Sequence, residues 1–147
     1  MGTLLDTTVF TDLERAVRRL PAAGAMAEVS DRLAEQLGGD EEVGIAAITA
    51  SELLHGVHRA AHEHRARREA FVEAVIAAFP PLPFELLAAR AHARIWAELA
   101  AARQDVGAHD RIVAATAVAA GWRIGTANLR HFDRIAGLDV LSISFVG

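Results

Sequence analysis

Short apolar runs alternate along the chain with longer segments in which hydrophobic residues return every three or four positions. A short continuous run is typical of a buried strand, and the spaced pattern is typical of an amphipathic helix. Strands are predicted at residues 3–5, 43–48, 122–126 and 139–144, with a short extended piece at 82–84. Helices are predicted at residues 9–20, 25–37, 51–61, 63–79, 85–103, 108–120 and 129–136. Strands that alternate with helices indicate an α/β fold, with a parallel sheet covered on both faces.

The predicted elements are separated by helix-breaking residues rather than by linkers. Pro21 ends the first helix, and the pair Gly38-Gly39 ends the second. Gly107 separates the two alanine-rich helices, and Gly121 follows the second of them. No repeat or low-complexity segment interrupts the chain, so residues 1–147 are predicted to form a single domain.

Acidic residues occupy the positions at which ligands bind in such a fold. In open parallel sheets, ligands bind in the crevice beyond the carboxyl ends of the strands. Asp6 directly follows the first predicted strand, and Glu52 lies just after the second. Asp110 is the third residue of the most apolar helix, and Asn128 follows the strand at 122–126. We therefore expect these side chains to converge at one edge of the sheet.

Converging carboxylates indicate a particular chemistry. They repel one another unless a cation lies among them. Mg²⁺, with Mn²⁺ as the alternative, prefers hard oxygen ligands and keeps bound waters that a phosphate group can replace. Such an ion lowers the pKa of a bound water and stabilises charge on a leaving oxygen. The pattern therefore predicts a metal-dependent hydrolase of phosphodiester bonds.

Each of these residues also has a purely structural interpretation. The motif Thr49-x-x-Glu52 matches a capping box, in which Glu52 bonds back to the amide of Thr49. Asn128 is a favourable N-cap, and Asp110 in a first helical turn compensates the helix dipole. Asp6 closes a buried strand, where it has no evident structural task. The coincidence of three acids at strand-end positions favours the functional interpretation.

The composition excludes several classes of enzyme. The chain contains no cysteine, which rules out disulfides, thiolate metal sites and thiol nucleophiles. All 15 basic residues are arginine, so mechanisms that need a lysine, such as P-loop phosphate binding and Schiff-base chemistry, are excluded. The net charge of −4 argues against a protein that coats nucleic acid by bulk attraction. No signal peptide is visible, and the longest apolar run, residues 112–122, is shorter than the roughly 20 residues of a membrane span, so we expect a cytoplasmic location and no membrane partner.

Four segments together resemble the PIN-domain ribonucleases of the VapC toxin type. They are LLDTTVF at the start, ITASELLHGV in the middle, the block VGAHDRIVAATAVAAG and the ending TANLRHFDRIAGLDV. The resemblance covers nearly the whole chain in the right order and spacing, and the third block is the most specific part of it. It implies a three-layer α/β/α PIN-like fold with a five-stranded, mainly parallel sheet.

The resemblance also implies a function. Such proteins are Mg²⁺- or Mn²⁺-dependent endonucleases that act on RNA, and each is the toxin of a type II toxin–antitoxin pair that a cognate antitoxin neutralises. Asp6, Glu52 and Asp110 match the family's three acidic metal-site residues. Asn128 stands where many relatives have a fourth aspartate. The fourth acid is therefore either absent or supplied by Asp133. A solvated position on a helix is the simpler interpretation of Asp133.

Hydroxyl and basic side chains are candidates for supporting roles. Thr7 and Thr126 are expected to orient ligands or water, or else to form ordinary hydrogen bonds at strand ends. The residues expected to bind phosphate near the site are Arg123, Arg130, His131 and Arg134. Arg65, Arg67 and Arg68 are assigned to a solvated helix face, paired with Glu63 and Glu69, in preference to RNA binding. His55, His58 and His62 are assigned to a solvated helix face in preference to zinc binding.

Two rival functions remain open at this stage. One keeps the fold and makes the protein a nuclease that acts on DNA or processes rRNA. The other, motivated by Asn128, is a catalytically silent PIN-like module that binds RNA. Apolar residues of helices 51–61 and 85–103 mostly form core, and some of them are candidates for a homodimer face or an antitoxin groove.

Overall fold

The computed structural model describes residues 2–18 and 25–145. The strands are β1 (Gly2–Leu5), β2 (Glu42–Ala46), β3 (Pro81–Leu82), β4 (Arg123–Thr126) and β5 (Val140–Ser142). The helices are α1 (Thr7–Val17), α2 (Ala25–Leu37), α3 (Ala47–Arg59), α4 (His62–Ala78), α5 (Leu86–Ala101) and α6 (Ala108–Ala120), with a 3₁₀ turn at Leu129–His131. The predicted end of the first helix at Pro21 lies outside the described residues. None of the described helices is long and apolar enough to cross a membrane.

All five strands form one parallel sheet in the order β3-β2-β1-β4-β5. This confirms the predicted α/β fold and its five-stranded sheet. The central strand β1 pairs with β2 on one side and with β4 on the other, so that Leu5 lies beside both Ile45 and Gly125. The chain leaves β1 in one direction towards β3 and later returns to the opposite side for β4 and β5. Such a reversal opens a crevice at the carboxyl ends of β1 and β4.

Hydrophobic side chains fill both faces of the sheet, since every residue of β1 is buried. Leu4 faces a core formed with α5 and α6, and Leu5 faces a second core formed with α1, α2 and α4. Adjacent strand residues point to opposite faces, which places one leucine in each core. Two helix layers therefore hold β1 rigidly, and the residue that follows it begins from a fixed position.

Two predicted boundaries are wrong for reasons of tertiary structure. The second strand ends at Ala46, where its neighbour β3 also ends, and α3 begins at once with Ala47 rather than at residue 51. Ile48 is consequently helical. The helix predicted at 129–136 is reduced to a single 3₁₀ turn, because Phe132 leaves helical geometry and is completely buried in the core beside α6. The predicted extended piece at 82–84 is observed as β3, one residue earlier.

Candidate functional site

Asp6 is a buried carboxylate held by two threonines. It follows β1, it is only 2% exposed, and its side chain does not cap α1. Oδ1 accepts a hydrogen bond of 2.6 Å from the Thr8 hydroxyl, and Oδ2 accepts one of 2.9 Å from the Thr126 hydroxyl. Asp6 follows β1, Thr8 lies in the first turn of α1 and Thr126 ends the neighbouring strand β4, so the fold fixes the orientation of the carboxylate.

The two threonines are themselves fixed by the backbone after β4. The amide of Ala127 donates to the Thr8 hydroxyl at 3.0 Å, and the amide of Asn128 donates to the Thr126 hydroxyl at 3.0 Å. Each hydroxyl carries one proton, and for each the shortest contact in which it can donate is the one to Asp6. The crossover at the carboxyl ends of β1 and β4 therefore presents a carboxylate whose position does not depend on solvent.

Asp110 approaches the same crevice from α6. It is the third residue of that helix and is half-buried, with Oδ2 at 3.3 Å from Nδ1 of His131. His131 is the last residue of the 3₁₀ turn, and its Nδ1 is buried without a hydrogen-bond partner in the described part of the chain. The turn after β4 and the start of α6 thus meet beside Asp6.

Glu52 lies at the rim of the crevice and does not cap its helix. Its Oε1 accepts a hydrogen bond of 3.0 Å from the Thr7 hydroxyl, and its Oε2 is 3.5 Å from Nδ1 of His109. Because α3 begins at Ala47, Thr49 lies inside the helix, where it is fully buried and its hydroxyl makes no hydrogen bond to any residue that the structure describes. The capping-box interpretation of Glu52 is therefore wrong.

Burial, together with the charge of a neighbouring acid, raises the pKa of both inner carboxylates. Burial raises the pKa of Asp6, the hydrogen bonds from Thr8 and Thr126 oppose that rise, and the charge of Asp110 adds to it. Burial also raises the pKa of Asp110, an effect that His131 opposes and the charge of Glu52 increases. The arrangement is thus unfavourable for two ionised carboxylates unless a cation joins them.

The donor atoms fit a divalent ion. One ligand atom each from Asp6, Asp110 and His131 lies within 4.8 Å of the others, and no other described residues form such a group of three. We call these three residues the ligand group. Glu52 lies outside it, and Asp133 is exposed and also lies outside it. Two carboxylates and an unpartnered buried nitrogen are a donor set that a metal ion would satisfy.

Asn128 is a cap. Its side-chain oxygen accepts a hydrogen bond of 3.2 Å from the amide of Arg130, at the N-terminus of the 3₁₀ turn. The structural interpretation of this residue is therefore confirmed. The amide side chain holds the turn that carries His131, and a direct role at the acids stays a prediction.

The predicted phosphate-binding arginines are scattered. Arg123 is at the amino end of β4, where Nε donates to the Thr3 hydroxyl at 3.0 Å and lies 3.6 Å from Glu41. Since β4 continues for three more residues, roughly 10 Å, before it reaches the crevice, the expectation that Arg123 lies near the site is wrong. Arg134 donates to the carbonyl of Asp105 at 2.7 Å, and Arg130 is exposed on the 3₁₀ turn.

The other basic residues follow their structural interpretation, with different partners. Arg68 pairs with Glu14 of α1 at 3.1 Å, and Arg65 donates to the carbonyl of Ala60, so the predicted pairing with Glu63 and Glu69 is wrong. The three histidines of the zinc interpretation are exposed, and none belongs to a ligand group among the described residues: His55, His58 and His62.

Sequence reasoning missed three contributors to the site. Thr8 bonds directly to Asp6, His109 faces Glu52, and His131 is a potential metal ligand rather than only a phosphate-binding residue. A signal existed for His109, which directly precedes Asp110 in the sequence. The position of His131 depends on the 3₁₀ turn, which the apolar pattern does not predict.

Comparison with known proteins gives consistent results. The family model for the PIN domain matches residues 3–138. Ribonuclease VapC1 of Rickettsia felis is 35% identical over 145 residues, which is 98% of each chain. A chain of the DNA-bound VapBC structure from Salmonella typhimurium superposes with a TM-score of 0.77 and 27% identity, over 97% of this chain and 98% of that one. VapBC-5 of Mycobacterium tuberculosis, described as a member of a family of toxin–antitoxin systems, gives a TM-score of 0.68 and 28% identity over the same shares.

Proposed function

The chain belongs to the PIN domain family and, within it, to the VapC ribonucleases, and from that premise we propose that it is a metal-dependent endoribonuclease that acts as the toxin of a toxin–antitoxin pair. The observation that carries the proposal is the convergence of Asp6 and Asp110 beside a buried nitrogen of His131 that makes no hydrogen bond to another described residue. Carboxylates that are costly to ionise together have an evident use only when a cation neutralises them.

The roles of the acids follow from their burial. Asp6 and Asp110 are the principal metal ligands, and Glu52 completes the cluster from the rim, directly or through a bound water. An ion held there, Mg²⁺ or Mn²⁺, would supply Lewis acidity toward a phosphodiester and would lower the pKa of a bound water. Thr8 and Thr126 hold the Asp6 carboxylate, and the Thr7 hydroxyl holds Glu52.

RNA is the proposed substrate, because VapC1 of Rickettsia felis, to which the chain is 35% identical, is named a ribonuclease. The exposed Arg130 lies one residue before His131 and is the arginine best placed to contact a phosphate at the crevice. Arg134 already donates a hydrogen bond to the carbonyl of Asp105, so we propose it only as a second candidate for a substrate contact. The net charge of −4 requires that any RNA contact be local.

Two protein partners are proposed. A cognate antitoxin is proposed because VapBC-5 is described as part of a toxin–antitoxin system. A homodimer is proposed because one helix carries large exposed apolar side chains: Leu86 and Leu87 are each 66% exposed, and Trp96 is 54% exposed. Exposed apolar surface of this kind is typical of a protein interface.

The decisive experiment combines induced expression with mapping of new RNA 5′ ends, and repeats the cleavage in vitro on the mapped RNA. Asp6→Asn and Asp110→Asn should each lower the cleavage rate about 100-fold or more, because a bound ion contributes several kcal/mol to the transition state. Chelation should abolish cleavage, and added Mg²⁺ or Mn²⁺ should restore it. Asp133→Asn is the matched control, since it removes the same charge from an exposed residue outside the ligand group.

Three results would overturn the proposal or favour one of its rivals. Wild-type cleavage by folded Asp6→Asn with excess Mg²⁺ would remove the metal role of that carboxylate. Preferential cleavage of single-stranded DNA of the same sequence would favour the DNA-directed rival. RNA binding without cleavage by the wild-type protein would favour the silent module, for which the engagement of Asn128 as a cap is the supporting observation.

A further inference from the structure

We propose that His131 is a nitrogen ligand of the ion held by Asp6 and Asp110, and that it gives the site a preference for first-row transition ions over Mg²⁺. The inference rests on the proposed metal-dependent function and deepens it. It assigns the place of the fourth acid to an imidazole, in preference to Asn128 or Asp133.

The geometry around His131 supports a ligand role. Its Nδ1 is 3.3 Å from Oδ2 of Asp110, and a ligand atom of His131 lies within 4.8 Å of those of Asp6 and Asp110. Nδ1 is buried and makes no hydrogen bond in the described part of the chain. An unpartnered buried polar atom is costly, and a metal ion on the same side of the imidazole would remove that cost.

The turn that carries His131 is built to hold it in place. The side chain of Asn128 caps the turn, and the amide of His131 donates to the Asn128 carbonyl at 3.2 Å. The next residue, Phe132, is fully buried in the core. An N-cap on one side and a buried ring on the other therefore fix the backbone of His131, so the imidazole can meet an ion without a loop being ordered first.

The chemistry of the donor explains the expected selectivity. Mg²⁺ requires near-octahedral oxygen coordination and is bound mainly through carboxylates and water. An imidazole nitrogen favours transition ions, and affinity for them rises from Mn²⁺ through Co²⁺ and Ni²⁺. The other candidates for the fourth position lack such a donor: the side-chain oxygen of Asn128 is occupied by the amide of Arg130, and Asp133 is exposed outside the ligand group.

The test measures ion binding directly, in untagged, RNA-free protein at one fixed pH. Calorimetric titrations with Mg²⁺ and Co²⁺ give the ratio of the two affinities, and Co²⁺ absorption reports a nitrogen ligand. His131→Ala should weaken Co²⁺ binding about tenfold or more, leave Mg²⁺ binding nearly unchanged and alter the Co²⁺ spectrum. His131→Asp should strengthen Mg²⁺ binding and reverse the preference, because it supplies an oxygen ligand.

Two controls separate this site from other histidines. Asp6→Asn identifies the part of the Co²⁺ signal that belongs to the ligand group, since binding at the exposed histidines does not depend on Asp6. His58→Ala removes an exposed imidazole that lies outside the ligand group, so it should leave the ratio of the affinities unchanged. A melting curve verifies that each variant is folded, and His131→Gln replaces His131→Ala if the latter is not.

The outcomes distinguish the proposal from the function on which it rests. An unchanged ratio and an unchanged Co²⁺ spectrum in folded His131→Ala, in a wild type that cleaves RNA, would overturn the ligand role and leave the nuclease intact. A ratio of Co²⁺ affinity to Mg²⁺ affinity that falls in His131→Ala, in a protein whose wild type cleaves no RNA, would support the ligand role and overturn the nuclease.

Discussion

Threonines and acidic residues occur at both ends of the sheet. At the amino end the acid is paired with an arginine, and at the carboxyl end two acids lie close together. At the amino end, Thr3, Glu41 and Arg123 form what we call the amino-end network. The Thr3 hydroxyl donates to Glu41 at 2.9 Å and accepts from Arg123 at 3.0 Å, and the two charges are 3.6 Å apart. Each polar group therefore has a partner within the protein, and the acid is matched by a base.

The carboxyl end brings two acids together, and neither forms an ion pair with an arginine of the described chain. Threonines support Asp6 there as Thr3 supports Glu41, yet the charge of Asp110 raises the pKa of Asp6, the charge of Glu52 raises the pKa of Asp110, and Nδ1 of His131 has no hydrogen-bond partner in the described chain. The comparison teaches that buried polar residues alone do not identify a functional site. What separates the two ends is that the amino end pairs its acid with an arginine, whereas the carboxyl end brings two acids together without one among the described residues.

The largest effect that tests this difference is expected at Glu52. Glu52→Gln keeps an oxygen that can accept from the Thr7 hydroxyl and removes the negative charge. We expect a melting temperature close to wild type and a requirement for about 10- to 100-fold more Mg²⁺ in RNA cleavage. A Mg²⁺ titration of cleavage beside a melting curve checks this. An unchanged titration would exclude Glu52 from the metal site.

At the amino end, the removal of one charge should affect only stability. Arg123→Met leaves Glu41, whose side chain is 16% exposed, without its base. We expect the free energy of unfolding to fall by about 2 kcal/mol, because breaking a partly buried pair leaves an unmatched charge. Denaturant unfolding measures the loss, and RNA cleavage by the folded variant serves as the control. Loss of cleavage with the fold intact would break the comparison between the two ends.

The raised pKa values predict how stability depends on pH without metal. An acid whose folded pKa lies above its unfolded value stabilises the fold below the unfolded pKa, and this stabilisation is lost as pH rises through the folded pKa. For Asp110 the loss begins near the ordinary value of 3.8. The melting temperature of metal-free Asp110→Asn should therefore rise relative to wild type from that pH towards neutrality.

Saturating Mg²⁺ should cancel this gain, because the ion stabilises only the wild-type carboxylate. Asp133→Asn, measured in the same way, controls for the general loss of one acid. If wild type and Asp110→Asn show parallel pH profiles, the repulsion inferred at the carboxyl end is absent.

The smallest effect is expected at Asn128. Asn128→Ala removes the cap of the 3₁₀ turn and should cost about 1 kcal/mol of unfolding free energy, with less loss of cleavage than Asp6→Asn. Asn128→Asp keeps a capping oxygen and should retain or increase metal affinity. Unfolding curves and Mg²⁺ titrations of both variants check this. Loss of cleavage in folded Asn128→Asp would instead show that the amide is needed, for example to hold substrate.

Local patterns predicted most of the architecture. The alternating apolar runs predicted a parallel sheet, and Asp6 follows the first strand at the edge where ligands bind in this class of fold. Asp6 and Asp110 are brought together as the sequence suggested. These successes depend on features that a few neighbouring residues determine.

The failures depend on distant residues. Thr49-x-x-Glu52 matches a local cap motif, yet the strand stops at Ala46, where β3 also ends, and this places Thr49 inside the helix. Arg123 was expected at the site from its nearness in sequence, but a strand carries its two ends to opposite edges of the sheet. His131 reaches the ligand group only because burial of Phe132 ends the turn early, which no local pattern predicts.

The hydrogen bond between Asp6 and Thr126 has a consequence for the order in which the protein becomes active during synthesis. It joins residues 120 positions apart, and β1 cannot complete its pairing until β4 has been made. Contacts of such long sequence separation form late, because loop closure must precede them. Asp6 is thus the first residue of the ligand group to leave the ribosome and among the last to be positioned. A nascent chain that ends before β4 holds Asp6 without its threonine from β4 and without His131, and it is expected to be catalytically silent.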